Sequence, residues 1–322
     1  MEENYLLAKQ LVNQKFPEGS GIDGFFILGL YGLLSIYSDY RDIVEKVFLD
    51  TDIWFESGTI KEILDRNDID LADYKYDERS EKDDSATYAV SSIGTFVCLE
   101  DGKIKIEKHT PYIAASLDHV GVTRLLNSFI HEMGHIIKGY TKGYAHSERN
   151  NKIYAFVRTG LHIDGISFNK DDNSYYDYKV GEIIDEVINT VQTTEALQEI
   201  KALDGWIPDK EVQDMYNMLN KQILDEDYGY NKSVKAFRPL WECKSFKKLI
   251  DENVIPGNLS TIRKYFDRRT FKGAFTQLSD LLDDMDEVEC EGGDFIIEFV
   301  TNLRIRHIIN KYKKNKSKQK KK

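Results

Sequence analysis

The sequence predicts an α+β fold, and three observations lead to this prediction. Apolar residues recur at three- and four-residue steps in residues 122–140, as they do on one face of an α-helix. Residues 104–108 alternate between apolar and charged side chains, which is typical of a half-buried β-strand. Beyond residue 197 the apolar residues return to a helical period. We therefore expect a core of helices and strands followed by a mainly helical region.

Residues 1–90 are predicted to form a mainly helical N-terminal region that packs on the core. It contains an apolar run at residues 25–34 that extends to about Tyr37. This run is too short for a membrane span and is typical of a buried helix. Residues 59–65 contain a second helical pattern. The polar residues 76–85 predict a loop at the end of this region.

The predicted core, residues 91–200, contains short strands separated by turns. Residues 152–158 are rich in β-branched and aromatic side chains, and Asp164-Gly165 is a strong hairpin signal. We expect this dipeptide to separate two strands. The elements predicted after the first helix are strand 152–158, the turn at Asp164 and Gly165, strand 166–168, a turn at 170–173, strand 175–178 and a second helix from residue 181.

Residues 201–310 are predicted to form a helical C-terminal domain, with breaks near Pro208, Pro239 and Pro256-Gly257. Its helical patterns cover residues 211–224, 244–252, 259–267, 271–284 and 295–311. Residues 311–322 hold eight lysines and no acidic residue. We expect this tail to be disordered and solvated, although such a run can also contact phosphates or an anionic surface.

Charge and cysteine content limit the classes of partner and compartment. The net charge is −11, and without the eight lysines of residues 311–322 the charge of residues 1–310 is −19. An acidic surface opposes nonspecific nucleic-acid binding, so we expect no specific nucleic-acid partner. Cys98, Cys243 and Cys290 lack the spacing of a disulfide framework or thiolate metal site, which predicts free thiols. With no signal sequence or membrane span evident, we expect a cytoplasmic protein.

Residues 131–135 read His-Glu-Met-Gly-His, a pattern that can bind a metal ion. In an α-helix His131 and His135 lie one turn apart on the same face, with Glu132 beside them. The alternative is an ordinary amphipathic helix with two solvent-facing histidines.

The helix that carries this motif has an apolar stripe opposite the two histidines. The stripe consists of Val122, Leu125, Leu126, Phe129, Ile130, Met133, Ile136 and Ile137. The histidine face also carries Arg124, Ser128 and Lys138, so the helix can pack on a core and turn its histidines toward a cleft. We expect the helix to span about residues 122–138 and to end at Gly139.

Two histidines leave a catalytic zinc site one protein ligand short, because such sites usually have three. The extended motif H-E-x-x-H-x-x-G-x-x-H is excluded, since Lys138 and Thr141 stand where it needs Gly and His. A carboxylate from the second predicted helix can complete the site. The polar face of that helix carries Glu182, Glu186, Asn189 and Thr193. An ordinary solvated acidic face is the alternative interpretation.

On these residues the chain resembles the zincin metallopeptidases, and within them the gluzincin-type group, in which a glutamate from a downstream helix completes a His-His-Glu site. The resemblance covers about residues 104–197 and is specific only at His131, Glu132, His135 and the acidic helix. It implies a zincin-like core with a small antiparallel or mixed sheet, an active-site helix and a glutamate helix.

The resemblance also implies the ligand set, one Zn²⁺ per chain held by His131, His135 and Glu186. Glu186 is implied because Asp185-Glu186 with Asn189-Thr190 is similar to the family pattern. Glu182 fits another version of that pattern and stays open as the alternative third ligand. The glutamate that is not a ligand, or Asp185, can then support a zinc-bound histidine.

The implied activity is zinc-dependent hydrolysis of peptide bonds in a peptide or protein substrate. The zinc would activate a water molecule and polarise the scissile carbonyl, and Glu132 would act as general base without binding the metal. A further donor is expected to stabilise the oxyanion, and the sequence does not choose among its candidates. These candidates are Tyr140, Tyr144, His146, His162 and Tyr178.

A second class of function stays open beside the enzyme. The chain could be a catalytically inactive zincin-fold protein that binds a partner through its helical C-terminal domain, because fold and motif alone do not identify a substrate. The substitution Glu132→Gln separates the two: an enzyme loses hydrolysis and keeps zinc, whereas a scaffold keeps its partner.

Overall fold

A computed structural model of the chain describes residues 1–69, 89–100, 103–118, 122–140, 144–149, 152–169, 173–220, 231–290 and 295–319. They form the mixed α+β fold that the sequence predicts. The chain divides into two compact units. The first contains Met1–Gly143 and Gln192–Asp227, and the second contains Tyr144–Val191 and Tyr228–Lys322. These units divide the chain differently from the predicted segments 1–90, 91–200 and 201–310.

The N-terminal part of the first unit is helical, as predicted. Its helices are α1 (Glu2–Lys15), α2 (Asp23–Ile36), α3 (Arg41–Asp50) and α4 (Ile60–Arg66), with a 3₁₀ turn at Ser38–Tyr40. The apolar run is confirmed as a buried helix, since residues 24–34 of α2 are all buried. The predicted loop at residues 76–85 lies outside the described residues.

A three-stranded mixed sheet follows in the same unit. Strand β1 (Asp52–Glu56) is parallel to the fully buried β5 (Tyr112–Ser116), and β2 (Ala89–Ser92) is antiparallel to β5 on its other side. The strand predicted at residues 104–108 is confirmed as β4 (Lys103–Lys108), which pairs with β3 (Thr95–Glu100) in a separate hairpin. Among the described strands, β2 therefore forms one edge of the sheet.

Helix α5 (Val122–Tyr140) packs on β2 and β5 and on helices α2 and α3. Its apolar stripe is buried as predicted from Leu125 to Ile137, and the side chain of Val122 lies outside the described part. Gly29 of α2 leaves room for Phe129, because a Cβ there would lie 2.7 Å from two carbons of that ring. The prediction that Gly139 ends the helix is wrong: α5 continues to Tyr140, since one buried glycine is tolerated in a helix held by packing.

The second unit contains a four-stranded antiparallel sheet. Its strands are β6 (Tyr144–Arg149), β7 (Lys152–Thr159), β8 (His162–Asn169) and β9 (Ser174–Val180), paired in chain order. The strands predicted at residues 152–158 and 175–178 are confirmed. The turn predicted at 170–173 lies between the paired residues Asn169 and Ser174, with residues 170–172 outside the described part.

The turn predicted at Asp164-Gly165 is wrong, because both residues lie inside β8. The chain turns instead at Gly160 and Leu161, where Gly160 has φ +56°, a conformation that favours glycine in two-residue hairpin turns. Gly165 serves packing across the sheet: a Cβ there would lie 2.8 Å from Cζ of Tyr178.

Helix α6 (Glu182–Lys201) contributes residues to both units, and α7 (Lys210–Asn220) belongs to the first. The remaining helices are α8 (Asn231–Trp241), α9 (Lys244–Asn253), α10 (Leu259–Arg269), α11 (Ala274–Cys290) and α12 (Phe295–Gln319). In the second unit α6 packs Val187 and Ile188 into an apolar core with Phe237, Phe246 and Tyr312. Within the described residues no helix has both the length and the apolar composition needed to cross a membrane.

One C-terminal prediction is confirmed and one needs correction. The break predicted near Pro239 is confirmed, because Pro239 lies in the last turn of α8, which ends at Trp241, and α9 begins at Lys244. The tail predicted to be disordered is helical through Gln319, because lysine is a good helix former and α12 already extends into the segment. Residues 320–322 lie outside the described part.

Candidate metal centre

Helix α5 brings the two histidines of the motif together. Their Nε2 atoms are 3.1 Å apart, and the ring centroids are 4.8 Å apart with the ring planes at 75°. The four-residue spacing places both rings on one face of the helix, and His131 is only 9% exposed. The two imidazoles therefore place the same type of nitrogen close together on one face of α5.

Helix α6 brings Glu186 to this pair. One ligand atom from each of His131, His135 and Glu186 lies within 4.8 Å of the others, and among the described residues this is the group of His, Cys, Asp and Glu side chains that could hold a metal ion. Glu182, one turn earlier, lies outside the group. Its Oε1 accepts a hydrogen bond from Lys179 Nζ at 3.2 Å.

The geometry of the histidine pair fits a shared metal ion, with zinc as an example. Two nitrogens bound to one tetrahedral zinc at about 2.0–2.1 Å stand about 3.3 Å apart, and the observed 3.1 Å is close to this separation. At this distance the two Nε2 atoms cannot both carry a hydrogen that points at the other ring. At least one Nε2 therefore directs its lone pair at the other histidine. Two imidazole nitrogens and one carboxylate oxygen are also ligands that zinc commonly takes in catalytic sites.

The carboxylate of Glu132 is held by a hydroxyl group from strand β2. Ser91 Oγ donates a hydrogen bond to Glu132 Oε2 at 2.6 Å. This contact joins β2, an edge strand of the sheet, to Glu132 on α5, and it restricts the rotamer of the Glu132 side chain. Sequence analysis did not find Ser91, because Ala-Val-Ser-Ser carries no signal that pairs it with a glutamate 41 residues later.

The face of α5 that carries the histidines is more buried than the sequence predicts. Arg124 is exposed, but Ser128 is 3% exposed and Lys138 is fully buried. The polar face of α6 is likewise enclosed, since Asn189 and Thr193 are buried. Both helices therefore place polar side chains in the interior of the protein.

Asp185, the neighbour of Glu186, holds the turn between β7 and β8. Its Oδ1 accepts the backbone N–H of Leu161 at 2.8 Å. The buried Arg158 donates to the carbonyl oxygens of Gly160 and Val254. Burial lowers the pKa of Arg158, and the negative charge of Asp185 opposes this change. The Asp185 contact joins the first turn of α6, the helix on which Glu186 lies, to the turn between β7 and β8; Arg158 was not found by sequence analysis.

The structure describes two of the five candidate oxyanion donors. The side chains of Tyr140, Tyr144 and His146 lie outside its described part. His162 follows Leu161 at the turn held by Asp185, and its Nε2 is buried without a hydrogen-bond partner. Tyr178 lies in β9, where burial and then the neighbouring Tyr154 raise its pKa.

Comparisons with known proteins do not identify the chain: no protein-family model, no curated protein and no solved structure matches it. The geometry of the His131, His135 and Glu186 cluster is therefore the basis for any functional conclusion.

Proposed function

We propose that this chain is a zinc-dependent metallopeptidase. The observation that carries the proposal is the cluster of His131, His135 and Glu186, whose possible ligand atoms lie within 4.8 Å of one another. Glu132 directly follows His131 in the chain. The proposed ligands are these three residues, with one zinc ion per chain. Glu182 is the weaker choice for third ligand, because the group of side chains that could hold a metal ion contains Glu186 and not Glu182.

The arrangement of elements supports a zincin-like core. A small mixed sheet packs against α5, and the antiparallel strands β7 to β9 connect α5 to α6 along the chain. The edge strand that contacts Glu132 is β2. Strand β4, which contains the predicted residues 104–108, pairs with β3 instead. The order of a strand, a histidine helix, a hairpin and a glutamate helix is the one that the sequence resemblance implies.

The proposed chemistry assigns a separate task to each residue. A zinc ion, when bound, would polarise the scissile carbonyl and make a water molecule more acidic. Glu132 would accept the proton of that water and later donate it to the leaving amine. Ser91 would hold one carboxylate oxygen of Glu132, so that the side chain is already oriented for proton transfer.

The proposal is tested by a cleavage assay on peptide libraries and denatured proteins, with new chain ends identified by mass spectrometry. We expect zinc-loaded wild type to cleave and Glu132→Gln to lose cleavage at least about a hundredfold, because the general base is removed. Glu132→Gln should retain its zinc. Glu211→Gln, a change of an exposed glutamate on α7, is the matched control.

Two outcomes contradict the proposal. Equal cleavage by wild type and Glu132→Gln would show that the activity does not use this site. Absence of cleavage by zinc-loaded wild type across the libraries would favour the alternative of an inactive zincin-fold protein that binds a partner.

A further inference from the structure

Helix α12 has two apolar faces in its first turns, and only one of them is buried. The buried face packs into the core of the second unit through Thr301, Ile305, Ile308, Ile309 and Tyr312. The opposite side, which we call the outer face, begins with Ile296, Phe299, Val300 and Leu303. Their exposed fractions are 67%, 55%, 40% and 49%.

These exposed side chains form one continuous strip. They are separated by three or four residues, so they stand next to each other on successive turns. Other large apolar residues with similar exposure, such as Leu6 and Met218, lie far apart in the chain. Single exposed apolar residues are common on soluble proteins, but a contiguous strip usually marks a binding surface.

The outer face becomes basic further along the same helix. Stepping on from Leu303 by three or four residues leads to His307, Lys311 and Lys314, all exposed, and the Nζ atom of Lys311 also lies 4.8 Å from the centroid of the Phe271 ring. The sequence of residues 311–322 contains eight lysines, whereas residues 1–310 carry a net charge of −19. An apolar strip and a concentrated positive charge are therefore combined on one helix of an otherwise acidic protein.

We propose that the outer face of α12 binds the surface of an anionic lipid bilayer. The apolar side chains would enter the boundary between headgroups and acyl chains, and the lysines would contact the anionic headgroups. Stable peripheral binding generally needs two signals, and an apolar insertion combined with a polybasic segment supplies both. The lysines also suit a diffuse layer of charge, since they act as point charges without the paired geometry of arginine.

A second copy of the chain fits this face less well. Antiparallel pairing along the whole helix would place the apolar turns of one copy against the lysines of the other, and parallel pairing would place lysines opposite lysines. Pairing of the apolar turns alone uses the four side chains of the outer face and the neighbouring exposed Ile297 of each copy, too few to reach the roughly 1,000 Å² of a stable interface.

The test measures binding of the full-length protein to vesicles by co-sedimentation. Vesicles of phosphatidylcholine alone are compared with vesicles in which about a third of the lipid is phosphatidylserine, an anionic headgroup. We expect at least tenfold tighter binding to the anionic vesicles, decreasing as salt is raised. The double change Phe299→Gln with Leu303→Gln, and separately Lys311→Gln with Lys314→Gln, should each weaken binding at least tenfold.

Matched controls separate this surface from general effects. Leu6→Gln with Met218→Gln removes two equally exposed apolar side chains elsewhere, and Lys264→Gln with Lys272→Gln removes two exposed lysines. Both pairs should bind as wild type does, and so should Glu186→Ala, because the surface is independent of the metal cluster. Circular dichroism should show that all variants keep their helix content.

Four results would overturn the proposal. These are no binding to either vesicle, equal binding to both, equal losses in the control pairs, or a dimer by light scattering that disappears in the Phe299 and Leu303 variant. The last result would assign the face to a second copy. A fifth result, tighter binding to free nucleic acid than to anionic vesicles, would also overturn it and would assign the lysines to phosphate contacts.

Discussion

The hydroxyl of Ser91 is expected to matter for catalysis more than for stability. Removing it in Ser91→Ala deletes a half-buried hydrogen bond to Glu132, which costs roughly 1 kcal/mol of unfolding free energy. If Glu132 is the general base, the loosened carboxylate should lower kcat by about tenfold to a hundredfold. Steady-state kinetics on a cleaved peptide measure this, together with zinc content, which should stay unchanged.

Ser92 provides the matched control for that prediction. Its hydroxyl accepts the backbone N–H of Gly94 and contacts His109 Nε2 at 3.2 Å. Ser92→Ala should therefore lower stability by a similar amount and leave kcat unchanged. Equal losses of kcat in the two variants would mean that Ser91 acts only through the stability of β2.

A second residue-scale prediction concerns Asp283 on α11. Burial, and then the charges of neighbouring acidic residues, raise its pKa from 3.8 to about 6, and its Oδ1 is buried without a hydrogen-bond partner. These neighbours are Asp280, Glu182, Asp284 and Asp286. Because the pKa is higher in the folded protein, the stabilising contribution of the protonated form is complete below about pH 4 and is lost as the pH rises through 6.

Asp283→Asn should therefore raise the unfolding free energy at pH 8 by about 2 kcal/mol and have little effect near pH 4. Urea unfolding at both pH values measures the difference. The exposed neighbour Asp284 supplies the control variant Asp284→Asn. A gain of equal size at both pH values would contradict the account, because it would not depend on ionisation.

At this scale the sequence predicts what is local and misses what depends on tertiary structure. His131 and His135 are four residues apart on one helix, so their common face follows from helical geometry alone. Glu186 was chosen over Glu182 from a family resemblance, and the structure brings Glu186 to the histidines. The contact of Ser91 with Glu132 joins residues 41 positions apart, and no local pattern predicts it.

At the scale of elements, the turn between β7 and β8 depends on a glycine. Gly160 has φ +56°, and a Cβ at this position would overlap Oδ1 of Asp185. Gly160→Ala should therefore combine backbone strain with displacement of the carboxylate that accepts the Leu161 amide. We expect a loss of about 3 kcal/mol, of which 1–2 kcal/mol is the cost of the left-handed conformation.

Gly205 isolates the backbone part of this effect. Its φ is +71°, and a Cβ there would meet no atom of the described structure within 4 Å. Gly205→Ala should cost only about 1–2 kcal/mol. Thermal unfolding of the two variants measures the difference, and equal losses would show that Asp185 does not hold the turn.

The elements that the sequence predicts well are those with a long, regular pattern. Helix α2, strand β4 and, apart from its C-terminal end, helix α5 match their predictions, because apolar periodicity follows directly from which side chains are buried. The hairpin turn was misplaced because Asp164-Gly165 has the composition of a turn, while Gly165 is needed for packing beneath Tyr178. A short signal such as this dipeptide is overridden by tertiary structure.

At the scale of the whole molecule, the division into units could not be predicted from the sequence. The first unit combines Met1–Gly143 with Gln192–Asp227, so segments far apart in the chain pack together. Composition changes along the chain indicate linkers but carry no information about which distant segments meet. The predicted boundaries at residues 90 and 200 therefore followed changes of pattern and not the packing.

Zinc binding should also stabilise the whole molecule, because a ligand that binds only the folded state raises the free energy of unfolding. At free zinc one hundred times above its dissociation constant, the expected gain is about 2.7 kcal/mol. Calorimetry with and without zinc measures the change in Tm. A Tm that stays the same in wild type would contradict specific binding to the folded chain.

The most direct test of the account is the zinc content of the untagged protein, measured by elemental mass spectrometry. Wild type is compared with Glu186→Ala and with Glu182→Ala, a control one turn away on the same helix. We predict one zinc per chain in wild type and in Glu182→Ala, and a loss of affinity of about a hundredfold or more in Glu186→Ala. Zinc retained in Glu186→Ala, or no zinc in wild type after refilling, would contradict a metal site formed by His131, His135 and Glu186.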